Sequence, residues 1–253
     1  MATTLAAVEI WPAIEGLSPR SPLAGIARRR FAGKTLLEWV VRRVSDALCI
    51  DQIVVLAGDD PLSHNLVAHC PPDISVLHSP AADPLGRLAG AVREVACTGV
   101  VRINVSHPFV DPDLIDRLVA ATAHSGCDYA SYALGDGRPA IESKVGVFAE
   151  WVAAPAIVRA DRLAKLAGDR LDATRFINTR PDLFALKWLP APRQLDKGDL
   201  RLAIQDEEDW EHVQLILDAL GPESLDWQYI ASLLDRQPTL RARMADRNRA
   251  AVC

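Results

Sequence analysis

The sequence predicts one α/β domain with a mostly parallel sheet that is covered by helices on both faces. Two observations lead to this fold class. Short apolar runs alternate with amphipathic segments along the first half of the chain, and the runs are apolar at nearly every position. Strands that are buried on both faces have such runs, and parallel strands need a crossover between them, usually a helix. With 253 residues, of which 49% are hydrophobic, the chain is long enough to bury this core.

Five apolar runs are predicted to be strands of this sheet. They are Val8–Ile14, Gln52–Ala57, Ile74–Leu77, Gly99–Asn104 and Cys127–Ala133. Ligands of open parallel sheets usually bind beyond the carboxyl ends of the strands. The segments that follow the first four strands are therefore expected to share one edge of the sheet, namely residues 15–30, 58–61, 79–83 and 105–111.

Helix start signals lie between these strands. Thr35 and Glu38 have the spacing of a capping box, and Asp83 and Asp111 each precede a first-turn proline. The predicted helices, each with its apolar residues on one face, are Thr35–Leu48, Pro84–Ala96 and Pro112–His124. They would supply the crossovers that parallel strands require.

The second half of the chain is less regular. Three segments in it are predicted to be strands, namely residues 144–148, 183–188 and 200–204. The predicted helices are Asp206–Leu220, Ser224–Asp235 and Pro238–Asn248. The first of these is ended by Gly221 and Pro222, which favour helix termination.

Composition and charge exclude several classes of function. The formal net charge is −5, which provides no basic field for nucleic acid. The five cysteines form no CxxC pair, and the N-terminus lacks the basic region of a signal peptide. No uninterrupted apolar run is long enough to span a bilayer. We therefore expect a cytoplasmic protein with reduced thiols and no membrane or nucleic-acid partner. The six histidines form no HExxH motif, so no zinc site is expected.

Several stretches resemble the motifs of one family in their order and spacing. Residues 32–38 read AGKTLLE, and residues 79–92 read SPAADPLGRLAGAV. Residues 100–119 read VVRINVSHPFVDPDLIDRLV, which resembles a segment usually written R-I-T-G-D-C-P-L-I-D-P. Residues 200–213 read LRLAIQDEEDWEHV, which resembles L-T-V-D-T-P-E-D. By these motifs the chain resembles the cytidylyltransferases of surface-polysaccharide biosynthesis, the spore-coat polysaccharide protein F group and relatives of CMP-KDO synthetase.

The resemblance implies a fold, an activity and an assembly. The fold would be the Rossmann-like nucleotide-diphospho-sugar transferase type, as one domain over residues 1–253. Residues 135–199 would form a small β-rich arm that pairs two subunits. Family members transfer CMP from CTP to a sugar and release pyrophosphate. They use Mg²⁺ that is held by aspartates at the strand ends.

The chain departs from the family pattern where the chemistry is expected. Ser106 and Gln205 stand at the positions of the two metal-binding aspartates. The basic positions of the first loop hold Leu17, Pro22 and Ile26, and the acidic sugar-facing positions hold Lys144 and Gly146. A serine hydroxyl is a poor Mg²⁺ ligand beside a carboxylate, and isoleucine cannot neutralise a phosphate.

A partial nucleotide pocket remains. The candidate nucleotide-binding residues are Arg20, Gly25, Asp83, Arg87, Arg102, Ser106 and His107. Arg102 is the strongest of these, because an arginine inside an apolar strand needs a partner. Lys144 is the candidate sugar-facing residue. Asp111 and Asp206 are weak metal candidates, since each also suits the N-cap position of a helix.

Two functional hypotheses follow. The first is a non-catalytic relative that binds a nucleotide such as CTP or CMP, or a sugar, needs no cofactor and has no catalytic residue. The alternative is an active enzyme that transfers CMP with Mg²⁺ at a re-sited centre. That centre would use carboxylates such as Asp59, Asp60, Asp111 or Asp206.

Overall fold

The computed structural model describes residues 3–9 and 28–250, and its centre is a seven-stranded sheet. In chain order the strands are β1 (Thr4–Glu9), β4 (Gln52–Gly58), β5 (Ser75–Ser79), β6 (Gly99–Asn104), β7 (Tyr129–Ala133), β8 (Glu150–Ala153) and β9 (Leu186–Pro190). Two further short strands, β2 (Arg30–Phe31) and β3 (Lys34–Thr35), form a separate hairpin. The strand order in the sheet is β5-β4-β1-β6-β8-β7-β9, and only β8 of the seven runs antiparallel to its neighbours. The predicted mostly parallel sheet is confirmed.

Helices cover both faces of this sheet. They are α1 (Leu36–Ser45), α2 (Pro61–Val67), α3 (Pro84–Glu94), α4 (Pro112–Thr122), α5 (Ala154–Leu163), α6 (Ala167–Arg170), α7 (Arg175–Asn178), α8 (Glu207–Leu220), α9 (Trp227–Asp235) and α10 (Pro238–Ala250). One hydrophobic cluster packs α1, α4, α8 and α9 against one face. A second cluster packs α3, α5 and α7 against the other. Among the residues that the structure describes, no helix is both long and apolar enough to cross a bilayer.

Side-chain caps begin the helices where the sequence predicts them. The hydroxyl of Thr35 accepts the amide of Glu38 at 3.2 Å. Asp83 accepts the amide of Gly86 at 2.8 Å. These bonds satisfy amides that a helix leaves without an intrahelical partner, so they set the first residue of α1 and α3.

The first strand lies earlier in the chain than predicted. Its bounds are Thr4–Glu9, whereas the prediction was Val8–Ile14. Ala6 and Ala7 are fully buried in this strand. Alanine is a weak hydrophobic signal, so the bulkier apolar residues within 10–14 determined the predicted bounds. Residues 10–14 lie outside the described part of the chain. The correction makes Glu9 the last residue of β1, at the carboxyl edge of the sheet.

Two segments predicted as strands are loops. Residues 144–148 and 200–204 belong to no strand. The amides of Leu202 and Ala203 both donate to the carbonyl of Lys144, at 2.8 and 3.0 Å. These two hydrogen bonds end on one carbonyl, whereas paired strands exchange hydrogen bonds at regular intervals along their length. Their apolar side chains are buried, and burial alone does not distinguish a loop from a strand.

Residues 135–199 do not form a separate β-rich arm. The two strands of this segment, β8 and β9, lie in the main sheet, and its helices are α5, α6 and α7. The strand β8 is central to the fold because it pairs with both β6 and β7. The pairing of two subunits stays a prediction.

Candidate functional site

Loops meet beyond the carboxyl end of β6 and bring sequence-predicted site residues together. The amide of Ile204 donates to the carbonyl of Ser106 at 2.9 Å. The amide of Ala203 donates to the carbonyl of Lys144 at 3.0 Å. The positions matched to the two metal aspartates, Ser106 and Gln205, therefore lie in adjacent loops, with Lys144 beside them.

Gly146 allows these loops to approach. Its φ is +67°, and a Cβ added there would lie 2.5 Å from the amide nitrogen of Ala203. Gly137 is a matched control, because its φ is +85° and nothing lies within 4 Å of its Cβ position. We expect Gly146→Ala to lower the free energy of unfolding by about 1–3 kcal/mol more than Gly137→Ala does, as measured by urea unfolding. Equal losses in the two variants would contradict a close approach at this point.

The two positions matched to metal-binding aspartates hold neutral side chains. Ser106 offers a hydroxyl, and its amide donates to the Oδ1 of Asn104 at 2.9 Å. Gln205 offers an amide, and its backbone nitrogen donates to the Oδ2 of Asp209 at 2.9 Å. Hard dications prefer carboxylate oxygens, so this pair is a poor donor set for Mg²⁺.

Asp111 is committed to the backbone. Its Oδ1 accepts the amide of Leu114 at 3.0 Å and its Oδ2 accepts the amide of Trp227 at 3.1 Å. Its side chain is buried, and that burial raises its pKa although both hydrogen bonds oppose the rise. Asp111 therefore fastens α4 to α9, and both of its oxygens are occupied. The structure does not place it as a metal ligand.

Both carboxylate oxygens of Asp206 also accept hydrogen bonds within the fold. Its Oδ1 caps α8 by accepting the amide of Asp209 at 3.1 Å, and its Oδ2 accepts from the guanidinium of Arg247. The wholly buried carboxylate of Asp209 in turn binds Arg201 at 2.6 Å and Arg247 at 2.7 Å. Burial raises the pKa of Asp206, but the Asp209 amide and Arg247 outweigh it and the pKa is lowered. These carboxylates stabilise the start of α8 and its contact with α10.

Lys144 is a half-buried cation at the same edge. Within the part of the chain that the structure describes, no side-chain hydrogen bond or ion pair holds its ammonium group. Burial lowers the pKa of Lys144 and the charge of Arg201 lowers it further, against the opposing charge of Asp209. A desolvated cation of this kind gains from an anionic ligand.

His107 lies between Lys144 and Arg102. It is 7% exposed, and its Nδ1 has no hydrogen-bond partner among the described residues. Burial lowers its pKa to about 4, and the charges of Arg102 and Lys144 act in the same direction against a hydrogen bond with the Phe148 backbone. His107 is therefore neutral at pH 7.

Arg102 has three carboxylate partners within the fold. Its Nε donates to Glu9 at 2.8 Å, its Nη2 to Asp172 at 3.0 Å, and its Nη1 to Glu150. The partner that the sequence analysis required for this arginine is thus a set of three, from β1, β8 and the loop before α7. Arg102 is 14% exposed, so the guanidinium is committed to these acids. It organises the carboxyl edge of the sheet.

Glu150 is the most enclosed of these acids. The hydroxyl of Tyr129 donates to its Oε2 at 2.6 Å, and Thr174 donates to its Oε1 at 2.9 Å. Burial raises the pKa of Glu150 and of Glu9 despite the opposing effect of Arg102. Burial also raises the pKa of Asp172, but Arg102 and Thr174 outweigh this effect, so the pKa of Asp172 is lowered. The cluster carries more acids than its one guanidinium can neutralise.

Residues 27–189 match the model of the MobA-like NTP transferase domain. The chain belongs to this family. The resemblance to cytidylyltransferases that the sequence motifs indicate is confirmed as well.

One relative and two solved structures are similar to this MobA-like NTP transferase. It is 26% identical over 223 residues to the spore coat polysaccharide biosynthesis protein SpsF of Bacillus subtilis, covering 85% of this chain and 90% of SpsF. It shares the fold of a cytidylyltransferase from Leptospira borgpetersenii, with a TM-score of 0.77, 16% identity, and 94% and 95% of the two chains covered. It also shares the fold of CMP:2-keto-3-deoxy-manno-octonic acid synthetase complexed with CTP, with a TM-score of 0.60, 11% identity, and 86% and 98% covered.

The remaining predicted pocket residues of this MobA-like NTP transferase lie near α3 or outside the described residues. Asp83 caps α3 and also lies 3.1 Å from the Nε of Arg170. Burial lowers the pKa of the half-buried Arg87, and the charges of Glu9 and Asp83 oppose this. Arg87 therefore lies close to the Arg102 cluster. The predicted nucleotide-binding residues Arg20 and Gly25 lie outside the described part of the chain.

The sequence analysis of this MobA-like NTP transferase missed three acids of the site. Glu9 was predicted as the second residue of a strand, and Glu150 and Asp172 were not linked to Arg102. A signal for Glu150 existed, because a glutamate beside the apolar run Trp151–Ala154 also needs a partner. Pairing it with Arg102 required the antiparallel register of β6 and β8, in which the two residues lie directly opposite each other.

Proposed function

We propose that this MobA-like NTP transferase binds a cytidine nucleotide, or a sugar linked to one, at the carboxyl edge of the sheet without Mg²⁺ and does not transfer CMP. The observation that carries the proposal is the pair of neutral side chains, Ser106 and Gln205, at the adjacent positions matched to metal-binding aspartates. The family supports a nucleotide as the ligand, and the altered donor set argues for lost chemistry.

The residues present do not fit the Mg²⁺ that the family resemblance implies. Asp206 follows Gln205 in the chain and Asp209 accepts the Gln205 amide, and arginines and backbone amides already occupy both acids. Asp111 is occupied by the amides of two helix starts. Freeing any of these acids would break an N-cap or leave a buried arginine uncompensated, which is costly. We therefore assign no catalytic step to a metal here.

Binding without a metal is supported by Lys144. Lys144 offers a half-buried ammonium group that no side chain holds among the described residues. An ammonium in a partly desolvated site binds a phosphate or carboxylate through strong, charge-assisted hydrogen bonds. Lys144 would hold the anionic part of the ligand.

The test is calorimetric titration of CTP and CMP into the protein, with and without Mg²⁺. We expect saturable binding whose dissociation constant is unchanged by Mg²⁺. We expect Lys144→Gln to weaken it roughly tenfold or more, because a hydrogen bond between charged groups is lost. Lys165→Gln is the matched control, since Lys165 is an exposed lysine beyond α5.

A parallel assay measures pyrophosphate release from CTP with Mg²⁺ and acidic sugars. We expect no release above the control without protein. Steady release, or binding that Mg²⁺ strengthens, would overturn the proposal and favour the active enzyme with a re-sited metal centre. If neither nucleotide bound, the proposal would fail as well, and only the fold would be retained.

A further inference from the structure

A group of two histidines and one aspartate lies at the carboxyl ends of β4 and β5. Asp59 follows β4, His64 lies in α2 and His78 lies in β5. One possible ligand atom from each residue lies within 4.8 Å of the other two. Imidazole nitrogens with one carboxylate oxygen are a donor set suited to zinc and related transition metals, and less suited to Mg²⁺.

The first pair already has the spacing of two ligands on one ion. The Nε2 of His64 lies 3.1 Å from the Oδ1 of Asp59. Two ligands at the corners of a tetrahedral site, each about 2.0–2.1 Å from the metal, lie about 3.3 Å apart. An ion could therefore enter between these atoms with a small movement of exposed side chains. Both side chains are more than half exposed, so they are accessible and free to adjust.

His78 is oriented by a backbone hydrogen bond. Its Nδ1 lies 3.2 Å from the carbonyl oxygen of Gly58, which can only accept. The Nδ1 must therefore carry the proton, and the lone pair of Nε2 remains available. Metal-bound histidines usually donate their second nitrogen to a carbonyl or carboxylate in this way. The ring of His78 also stacks on that of His64, with centroids 4.4 Å apart and planes at 22°.

We propose that Asp59, His64 and His78 together bind one divalent transition-metal ion of the zinc class, with water completing the coordination. The three residues come from three successive elements, so an ion would fasten α2 and the end of β4 to β5. Spacing along the chain does not reveal the group, which explains why the sequence analysis expected no zinc site. The inference does not rest on the proposed function, because the Ser106 and Gln205 positions lie in other loops.

The test is calorimetric titration of zinc chloride into the full-length, tag-free protein after treatment with a chelator and no nucleotide present. We expect one ion per chain, and binding at least tenfold weaker in His78→Ala and in His64→Ala. His69→Ala is the matched control, because His69 is an exposed histidine two residues beyond α2, and it should bind zinc like the unaltered protein. Excess Mg²⁺ should not displace the ion.

A second measurement, the melting temperature, shows whether each variant is folded. Zinc should raise the melting temperature of the unaltered protein and of His69→Ala, because an ion that binds only the folded state stabilises it. Zinc should raise the melting temperatures of Asp59→Asn and His78→Ala less than that of the unaltered protein. Absence of binding to the unaltered protein, or equal binding by all variants, would overturn the proposal. CTP binding by His78→Ala should be unchanged, which separates this test from that of the proposed function.

Discussion

Arg102→Met is expected to lower the free energy of unfolding by about 3–5 kcal/mol, because removing one partner of a buried ion cluster leaves the other charges uncompensated. Arg102 is the cation that contacts Glu9, Glu150 and Asp172, and the side chain of Glu150 is wholly buried. Methionine keeps much of the volume and removes the charge. Urea unfolding monitored by circular dichroism at pH 7.5 measures the loss.

Arg93→Met is the matched control for this experiment. Arg93 pairs with Asp161 through a side chain that is 54% exposed. Exposed pairs contribute about 0–1 kcal/mol, so this variant should remain close to the unaltered protein. Similar losses in the two variants would contradict a special role for the Arg102 cluster.

The effect of Arg102→Met should also depend on pH. Burial raises the pKa of Glu9 and Glu150 even with the arginine present, and losing the arginine removes the interaction that opposes this rise. The folded variant then binds more protons than the unfolded chain above the ordinary glutamate pKa, so its stability falls as pH rises. The variant should therefore lose more stability at pH 8 than at pH 5, relative to the unaltered protein.

Between about pH 6.5 and pH 4, His107→Gln is expected to lose about 3 kcal/mol less unfolding free energy than the unaltered protein. His107 has a pKa of about 4 in the folded protein, below the ordinary value of 6.5, chiefly because burial disfavours its charged form. The unfolded chain binds the proton first as pH falls, so stability is lost between about pH 6.5 and pH 4. That interval corresponds to about 3 kcal/mol at 1.36 kcal/mol per pH unit.

The measurement is the difference in unfolding free energy between the unaltered protein and His107→Gln at pH 7, 5.5 and 4. Other groups titrate in this range, and the difference cancels those that the two proteins share. As pH falls, the unfolding free energy of His107→Gln should rise relative to that of the unaltered protein. His69→Gln, at an exposed histidine, should show no such trend. A constant difference across the three pH values would mean that His107 is not buried as a neutral ring.

The sequence predicted the elements whose signals are local. Thr35, Asp83, Asp111 and Asp206 all cap helices, because an N-cap depends on residues within one turn. The strand Gly99–Asn104 has its predicted bounds, since a parallel strand buried on both faces is continuously apolar. The need of Arg102 for a partner also followed from its place in that strand.

Other features depend on distant pairings and could not be read locally. Glu9 and Glu150 reach Arg102 only through the strand order of the sheet, and 141 positions separate them in the sequence. The loops around Lys144 and Ala203 are as apolar as strands, and only their close approach at Gly146 explains why they form no ladder. Such contacts follow from topology, which hydrophobic periodicity does not specify.

The antiparallel strand β8 also fixes the order in which the sheet is completed during synthesis. The four strands β5, β4, β1 and β6 are all made by residue 104, yet the free edge of β6 pairs only with residues 150–153. At about 5–20 residues per second, that edge stays open for a few seconds while the intervening segment is translated. An open apolar edge is a template for pairing with another chain. A nascent chain that stalls within this interval therefore leaves the edge of β6 exposed to aggregation.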